Sequence, residues 1–331
     1  MSAAVAAGVV GVGAMGRNHA RVYAELPGVD LVGVSDVDDA LAREVADEFD
    51  TVTYDLAELL ARADVVSIAV PTRFHFDVAR QAIEAGVHVL VEKPVTATVE
   101  EGRELAALAD AHGVVVQVGH VERFNPAVTA LFDVMADLTP VAFEAHRLGP
   151  PPARRIDDGV VLDLMIHDLD VVCALAGSGV ESVHGFGTAD GQHATAHLGF
   201  ADGTLATLTA SRRTQKKVRT LEVTAEECFV TVDYIDQSLR IHRHSNPEYR
   251  RQGSEVSYRN ESVIEQPMLS AGEPLKLELA AFVEATTTGS EPVVGIDDGL
   301  RALALATLVT ERVGDGPTGA VGGTPLSEVA E

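Results

Sequence analysis

The apolar positions in the first third of the chain follow two different spacings. Short unbroken apolar runs, such as Val65–Val70, are typical of strands covered on both faces. Between these runs, apolar residues recur at helical spacing. The pattern predicts strands at Val5–Val10, Asp30–Val34, Val65–Val70, His88–Val91 and Val114–Val118. It predicts helices at Ala14–Leu26, Asp38–Phe49, Asp55–Ala61, Phe74–Ala85 and Val99–His112. Strands that alternate with helices indicate an α/β fold with a doubly wound parallel sheet.

The pattern changes after Gly119. Helical spacing over Val160–Leu175 precedes a series of strand patterns that extends from Val180 to Arg259, with turn residues between the strands. Two further helices are predicted at Pro274–Thr287 and Asp298–Val313. Because these strands and helices are segregated along the chain, they indicate an α+β domain.

The domain boundaries follow from this change of pattern. We expect a first domain over residues 1–119 and a second over residues 120–313. Residues 314–331 are rich in Gly, Pro and Thr and have little to bury, so we expect a disordered tail.

Charge is the unusual global property of the chain. Fifty acidic residues against 25 Lys and Arg give a net charge of −25. Lysine is rare and occurs at Lys93, Lys216, Lys217 and Lys276. This bias resembles that of proteins from salt-loving (halophilic) organisms, although a GC-rich genome that favours Arg, Ala and Asp would also produce it. The charge argues against nucleic acid as a partner, because phosphates would be repelled. An anionic ligand would need cations within its own site.

Several other classes of protein are excluded by the pattern. No apolar run approaches the roughly 20 residues that span a bilayer, and the N-terminus has no basic region of a signal peptide. The two cysteines, Cys173 and Cys228, are isolated, and the histidines have no metal-ligand spacing. No G-x-S-x-G element of a hydrolase is present. We expect a cytoplasmic protein with no metal and no membrane partner.

The segment from Gly11 to Gly16 has the form G-x-G-x-x-G and lies between a predicted strand and a predicted helix. Gly11 allows a tight turn, Gly13 allows the backbone to approach a pyrophosphate, and Gly16 allows close packing of helix on strand. With Ala14 and Met15, these residues place a phosphate site at the N-terminus of the helix. The segment predicts dinucleotide binding.

Asp36 lies about 20 residues beyond the last glycine, at the end of the second strand. A carboxylate at this position accepts hydrogen bonds from a ribose diol and repels a 2′-phosphate, which favours NAD over NADP. Asp38 and Asp39 lie nearby and are alternatives for the same role.

Glu92 and Lys93 follow the predicted strand His88–Val91, before Pro94. Ligands of doubly wound sheets bind beyond the carboxyl ends of the strands, so Lys93 is a candidate for contact with the nicotinamide region. A lysine can change its pKa on burial and donate to a substrate oxygen. The alternative is a solvated lysine before a turn.

Asp163 and His167 are spaced to share one face of a helix in an otherwise apolar segment. Histidine is suited to accept a hydroxyl proton near neutral pH, and a neighbouring carboxylate would orient it. The alternative is a structural Asp–His pair in the core. We expect Asp168 and Asp170 to be capping or surface groups.

These motifs together resemble the glucose–fructose oxidoreductase, inositol dehydrogenase and MocA family. The resemblance rests on Gly11–Gly16 with His19 following, on Pro71, Thr72 and His75, on Glu92–Pro94, and on Asp163 with His167. It implies a Rossmann domain and an α+β domain whose large, mostly antiparallel open sheet often forms an oligomer interface, so a homodimer or homotetramer is expected. It also implies that Lys93, Asp163 and His167 are catalytic, and that Pro71, Thr72, His75 and Glu92 line the cofactor.

Residues Gly119–Pro126 and Leu162–Asp170 resemble a narrower branch of that family, whose members oxidise the 3-hydroxyl of UDP-N-acetylglucosamine. Met165 stands where many family members have glycine, which argues against a generic free sugar. The alternatives are a dehydrogenase of a free sugar or inositol, and a non-catalytic NAD-binding regulator.

A nucleotide-sugar diphosphate needs fixed cations, and arginine is suited to bind phosphate. The residues expected to bind substrate are Lys93, Arg123, Asn125, Arg147, Arg154 and His167. A basic run from Arg212 to Arg219 is either a salt-bridged strand, a subunit contact or a phosphate site.

Overall fold

The computed structural model describes residues 4–151, 158–244, 248–252, 255–259 and 262–314. The chain divides into two units. Unit 1 comprises Met1–Phe124 and Gly272–Ala304, and unit 2 comprises Asn125–Ala271 and Leu305–Glu331.

Unit 1 contains a five-stranded sheet in which every neighbouring pair is parallel, in the order β2-β1-β3-β4-β5. Its strands are β1 (Val5–Val10), β2 (Val29–Ser35), β3 (Val65–Ile68), β4 (His88–Glu92) and β5 (Val116–Gly119). Its first helices are α1 (Ala14–Glu25), α2 (Asp39–Glu48), α3 (Leu56–Leu60), α4 (His75–Glu84) and α5 (Val99–His112). The predicted doubly wound α/β sheet is confirmed, with element ends that differ from prediction by at most two residues.

Two short 3₁₀ turns complete this part of unit 1. One spans Thr72–Phe74, directly before α4, and the other spans Val121–Phe124, after β5.

The helix α8 (Pro274–Thr288) differs from the expected domain division, because it belongs to unit 1. Its residues Leu275, Leu279 and Phe282 are buried in the same apolar cluster as residues of α1, β1 and β2. Farther along, the Val118 amide donates to the carbonyl of Val294 at 3.0 Å. Burial of the apolar face of α8 therefore assigns this late segment to the first unit. The last helix, α9 (Ile296–Gly314), has residues in both units.

Unit 2 contains an eight-stranded, mostly antiparallel sheet in the order β15-β12-β11-β10-β6-β9-β8-β7. Its strands are β6 (Pro140–Leu148), β7 (Val180–Gly187), β8 (His193–Phe200), β9 (Leu205–Ser211), β10 (Val218–Ala225), β11 (Phe229–Asp233), β12 (Ser238–His244) and β15 (Ser262–Glu265). The strands β13 (Glu248–Gln252) and β14 (Glu255–Arg259) form a separate hairpin. The pair β6–β9 is the parallel exception.

Two helices of unit 2 accompany this sheet, α6 (Pro126–Met135) and α7 (Ile166–Ala176). Burial alternates along the strands, and in β8 the residues Ala194, Ala196, Leu198 and Phe200 are buried. This period of two indicates a sheet with one covered face and one open face. The expected α+β architecture of the second domain is confirmed.

None of the helices in the described part of the chain has the length and apolar character needed to cross a membrane. The predicted disordered tail, residues 314–331, lies outside the described residues apart from Gly314.

Candidate active site

The glycine loop follows β1, as the sequence predicted. Gly11 has φ of +82°, in the left-handed region that disfavours residues with a Cβ. A Cβ at this position would also lie 2.8 Å from the backbone nitrogen of Val70. The Gly11 amide donates to the carbonyl of Ser35 at 2.8 Å. The turn therefore requires glycine on both conformational and steric grounds.

Gly13 and Gly16 have opposite surroundings. A Cβ on Gly16 would lie 1.8 Å from the carbonyl oxygen of Gly11, so helix α1 packs against the loop at the closest distance that glycine allows. A Cβ on Gly13 would meet no protein atom within 4 Å. Gly13 is the N-cap of α1 and makes no side-chain capping bond, and Ala14 and Met15 follow it. Open space beside free helix N–H groups fits the pyrophosphate of a dinucleotide.

The three acidic residues after β2 have different contacts. Asp36 accepts hydrogen bonds from the amides of Val12 at 2.7 Å and Asp38 at 2.9 Å. Asp38 caps α2 by accepting from Ala40 and Leu41, and Asp39 forms an ion pair with Arg43. Asp36 is therefore the acid that faces the glycine loop, which favours it over Asp38 and Asp39 for the predicted ribose contact.

His75 joins the segments that follow β3 and β4. Its ring is buried, with Nε2 at 2.9 Å from the carbonyl oxygen of Val70 and Nδ1 at 2.8 Å from that of Pro94. Burial lowers the pKa of His75, and a neutral imidazole donates from only one of its nitrogens. Pro71 and Thr72 form the turn before His75. His75 therefore supports the loops that carry Thr72 and Lys93.

Glu92 ends β4 and is buried. Its Oε1 lies 3.0 Å from Nε2 of His19, a residue on α1. Burial by itself would raise the pKa of Glu92, but the hydrogen bond from His19 and the charges of His19 and Lys93 outweigh burial and lower it. Glu92 is therefore ionised and is held by His19 at the end of β4. The residue that follows it, Lys93, is half-buried.

Arg123 and Asn125, two predicted substrate contacts, have partners within their own units. Arg123 forms an ion pair with Asp298 at 3.4 Å, and its side chain is 8% exposed. Asn125 caps α6 by accepting from the amide of Ala127, and it donates to the carbonyl of Tyr234 at 3.0 Å. Because Asn125 is buried and both its polar atoms are used, its contacts favour a structural role.

Asp163 and His167 do not lie in one regular α-helix. The segment Val161–Met165 forms a π-helical turn, and α7 begins at Ile166. The side chain of Asp163 is 26% exposed and forms an ion pair with buried Arg212 at 2.5 Å. The predicted spacing is therefore retained across a wider helical turn, and the carboxylate has a partner that the sequence did not reveal.

Asp168 and Asp170 are both buried, so the expectation of capping or surface groups was wrong. Asp168 binds Arg147 through two hydrogen bonds of 2.8 Å, to Nε and Nη2. The Arg147 guanidinium also lies 5.3 Å from the ring centroid of Tyr234. A buried bidentate pair of this kind is a structural contact, which argues against the predicted role of Arg147 in binding a substrate phosphate.

The remaining cations predicted to lie near the substrate are Arg154 and the basic run Arg212–Arg219. Arg154 lies outside the described residues. Within the basic run, Arg212 is buried and Arg213 forms an exposed ion pair with Asp190. These contacts favour the salt-bridged interpretation for the first two residues of the run. Among the described residues, no group of three His, Cys, Asp or Glu side chains is arranged to hold a metal ion.

The parallel sheet, the glycine loop and Asp36 define a nucleotide-dependent oxidoreductase fold. Comparison with known families makes this class specific. Residues 5–120 match the model of the oxidoreductase family with an NAD-binding Rossmann fold, and residues 139–230 match the C-terminal domain model of the same family. The chain belongs to this Gfo/Idh/MocA family of NAD-dependent dehydrogenases.

The relatives agree with this assignment. UDP-N-acetylglucosamine 3-dehydrogenase of Acidithiobacillus ferrooxidans is 38% identical over 240 residues, which cover 71% of this chain and 76% of that protein. A solved structure of that enzyme has a TM-score of 0.85 and 34% identity, and the match covers 94% of this chain and 98% of that one. The scyllo-inositol 2-dehydrogenase (NAD(+)) of Bacillus subtilis is 34% identical over 54% of this chain and 56% of its own length.

Proposed function

We propose that this chain oxidises the 3-hydroxyl of UDP-N-acetylglucosamine to a ketone, with NAD as hydride acceptor. The observation that carries the proposal is the 38% identity to a UDP-N-acetylglucosamine 3-dehydrogenase over 71% of the chain. The structural similarity to that enzyme extends over 94% of the chain, so it includes both units.

The residues of unit 1 fit the cofactor. Bound NAD supplies a nicotinamide ring that accepts a hydride. The open space at Gly13 and the free N-terminus of α1 accommodate the pyrophosphate, and Asp36 is oriented by two backbone amides toward the same loop. Asp36 then accepts hydrogen bonds from the ribose diol and excludes a 2′-phosphate.

Three residues carry the proton chemistry in this proposal. His167 accepts the proton of the substrate hydroxyl, and Lys93 donates a hydrogen bond that holds and polarises the reacting oxygen. Asp163 orients His167 and stabilises the positive charge that His167 gains when it accepts the proton. The roles rest on the family motif, on the position of Lys93 directly after β4, and on the fixed carboxylate of Asp163.

For the diphosphate, we propose Arg123 and Arg154. Arg123 contacts its acidic partner at 3.4 Å, a longer distance than the 2.8 Å contacts of Arg147 with Asp168. Arg147 is held by Asp168 in a buried bidentate pair, so we assign the diphosphate to Arg123 rather than to Arg147, because a guanidinium suits phosphate oxygens.

The experiment that tests the substrate is NADH formation at 340 nm and high salt, with UDP-N-acetylglucosamine, UDP-glucose, glucose and myo-inositol. A ketone trap such as hydrazine draws the oxidation forward. In a parallel reaction without the trap, borodeuteride reduces the free ketone, and fragmentation in a mass spectrometer locates the new deuterium on the sugar. We expect turnover with UDP-N-acetylglucosamine and deuterium at carbon 3.

Other results would identify the alternatives. Turnover of myo-inositol or glucose alone would overturn the nucleotide-sugar proposal and favour the second candidate, which is supported by the 34% identity to an inositol dehydrogenase. Binding of NAD with no turnover of any of the four compounds would favour a non-catalytic regulator.

A further inference from the structure

Arg212 is a buried cation directly after β9, and nothing in the sequence pattern connects it with Asp163. Its side chain is 4% exposed and forms the ion pair with Asp163. We propose that Arg212 is a positioning residue for the reaction: it fixes the Asp163 carboxylate and compensates its charge, so that His167 stays neutral and able to accept a proton. This inference rests on the proposed function, since it concerns the residues assigned there.

The guanidinium of Arg212 contacts three residues on two segments of the chain, Asp158 and Asp163 on one and Gln192 on the other. Its Nη2 donates to Oδ2 of Asp163 at 2.5 Å. Its Nη1 donates to the backbone carbonyl of Asp158 at 2.8 Å and lies 3.5 Å from Oε1 of Gln192. A planar group with five donors can make these contacts together, whereas the ammonium group of lysine cannot span them.

Backbone hydrogen bonds next to these contacts also hold the start of the π-helical turn. The amide of Val160 donates to the carbonyl of Gly191 at 2.9 Å, and the backbone amide of Arg212 donates to the carbonyl of Gln192 at 3.0 Å. The chain that enters the turn is therefore attached to the β7–β8 connection on one side and to Arg212 on the other. This attachment holds the segment that carries Asp163.

The charges around this segment can be named from the elements packed against it. Arg212 directly follows β9, and β6 contributes Arg147, which is paired with Asp168 of α7. Asp170 lies on α7, and Asp190 of the β7–β8 connection forms an exposed pair with Arg213. Among the described residues, Arg147 is paired with Asp168, whereas Arg212 forms the ion pair with Asp163.

The chemical consequence concerns the protonation of the base. An uncompensated carboxylate one helical turn from His167 would stabilise the imidazolium, which cannot accept a proton. The positive charge of Arg212 opposes this effect and also keeps Asp163 ionised. Loss of that charge favours the protonated forms of both groups, so the acid limb of the kcat profile moves to higher pH.

The test uses three variants of the full chain at high salt. Arg212→Met removes charge and contacts, Arg212→Lys keeps the charge alone, and Arg213→Met is the matched control from the same strand end. We measure kcat and KM for sugar and NAD across pH, together with thermal unfolding. The side chain of Asp163 is 26% exposed to solvent. In Arg212→Met, water can therefore still solvate its carboxylate, so the variant does not leave an unpaired charge buried in the core.

We expect Arg212→Met to lower kcat at least about tenfold and to move the acid limb up by about one pH unit, with KM for NAD unchanged. Arg212→Lys should keep the acid limb of the kcat profile at its wild-type pH but have a lowered kcat. Arg213→Met should resemble the wild type in both kcat and the position of the acid limb. The inference is overturned if the pH profile of Arg212→Met coincides with that of Arg213→Met, because loss of a merely structural contact would change stability and leave the profile in place.

A second measurement needs no turnover and separates the two proposals. In protein labelled with ¹³C at the aspartate carboxyl groups, the Asp163 signal is assigned as the one missing in Asp163→Asn. Its titration midpoint should rise in Arg212→Met and remain unchanged in Arg213→Met. If no sugar is oxidised and the midpoint still rises, the proposed function fails while the electrostatic role of Arg212 stands. If the titration midpoint of Asp163 does not change in Arg212→Met, the role proposed for Arg212 is wrong, even if the enzyme is active.

Discussion

The glycine loop of unit 1 and the Asp163 segment of unit 2 build functional groups by different means. The loop uses the backbone: Gly11 has a positive φ, Gly16 touches Gly11, and Gly13 leaves space. The Asp163 segment uses side chains, through ion pairs with guanidinium groups that are almost fully buried. The glycine loop works because its residues have no Cβ atoms to block the turn or the ligand. The carboxylates of unit 2 depend instead on a guanidinium partner from another part of the chain.

The largest effects are expected when the two proposed proton-transfer groups are replaced, one in each unit. Lys93→Met and His167→Gln should each lower kcat about 10³-fold or more while NAD binding is retained, because general acid–base groups contribute factors of this size. The controls are Lys276→Met, at a half-buried lysine of unit 1 that pairs with Glu25, and His184→Gln, at an exposed histidine of unit 2. Steady-state kinetics and NAD titration by fluorescence check this, and near-normal turnover in either variant would remove that residue from the mechanism.

The buried pair of unit 2 should dominate its stability. Arg147→Met or Asp168→Asn alone should lower the free energy of unfolding by about 3 kcal/mol or more, because each leaves a buried partner without its counterion. The double variant should lose less than the sum of the two single losses. Urea unfolding at constant salt measures this. Strictly additive losses would show that the bidentate contact contributes nothing of its own.

In the glycine loop, the same glycine-to-alanine change at two positions should separate an effect on stability from an effect on NAD binding. Gly16→Ala places a methyl group against the Gly11 carbonyl, so we expect a loss of more than about 2 kcal/mol in stability and no measurable NAD binding. Gly13→Ala meets no protein atom, so stability should be unchanged while NAD affinity falls about tenfold, as the methyl group enters the path of the pyrophosphate. Equal destabilisation by both variants would contradict the packing difference.

A smaller effect is expected from the acid beside the loop. Asp36→Ala should raise the ratio of kcat/KM for NADP over NAD about tenfold, because the carboxylate no longer repels the 2′-phosphate. Asp39→Ala, an exposed neighbour that pairs with Arg43, is the control. An unchanged ratio in Asp36→Ala would transfer the role to Asp38 or to another residue.

The smallest effect is a pH dependence of stability at Glu92. The pKa of Glu92 is lowered in the folded chain from its ordinary value of 4.5, despite burial, by His19 and the nearby cations. Its ionisation therefore stabilises the fold at neutral pH, and this contribution is lost as pH falls below about 4.5 through the folded pKa. The stability difference between wild type and Glu92→Gln should narrow on acidification. A constant difference from pH 7 to pH 3 would exclude this contribution.

The same contrast explains what the sequence could predict. Gly11, Gly16 and Asp36 were predictable because their roles depend on spacing within one strand–turn–helix unit. The partners of Asp163 and Asp168 lie 49 and 21 positions away, and no periodicity connects them. Asp168 was expected at the surface because an isolated carboxylate is seldom buried, and only its guanidinium partner makes burial acceptable. His19, three positions after Gly16 on α1, was a visible signal, but its partner Glu92 lies 73 positions away at the end of β4.

The α8 helix was misplaced for a related reason. Its apolar face is evident from the sequence. However, this face could pack on the sheet of either unit, and the spacing of apolar residues does not show on which. Contacts of Leu279 and Phe282 with the core of unit 1 decide the matter.

The π-helical turn at Val161–Met165 also affects how relatives are aligned. Such a turn closes with one residue more than an α-helical turn, so it corresponds to a single-residue insertion in a helix. In a relative with a regular helix here, an alignment without a gap would pair Asp163 with the wrong residue, displaced by about 100° around the axis. Deletion of one residue in this segment would convert the turn to α-helix. A survey that places a gap at this turn would therefore recover relatives that retain the aspartate but are misaligned in an ungapped comparison.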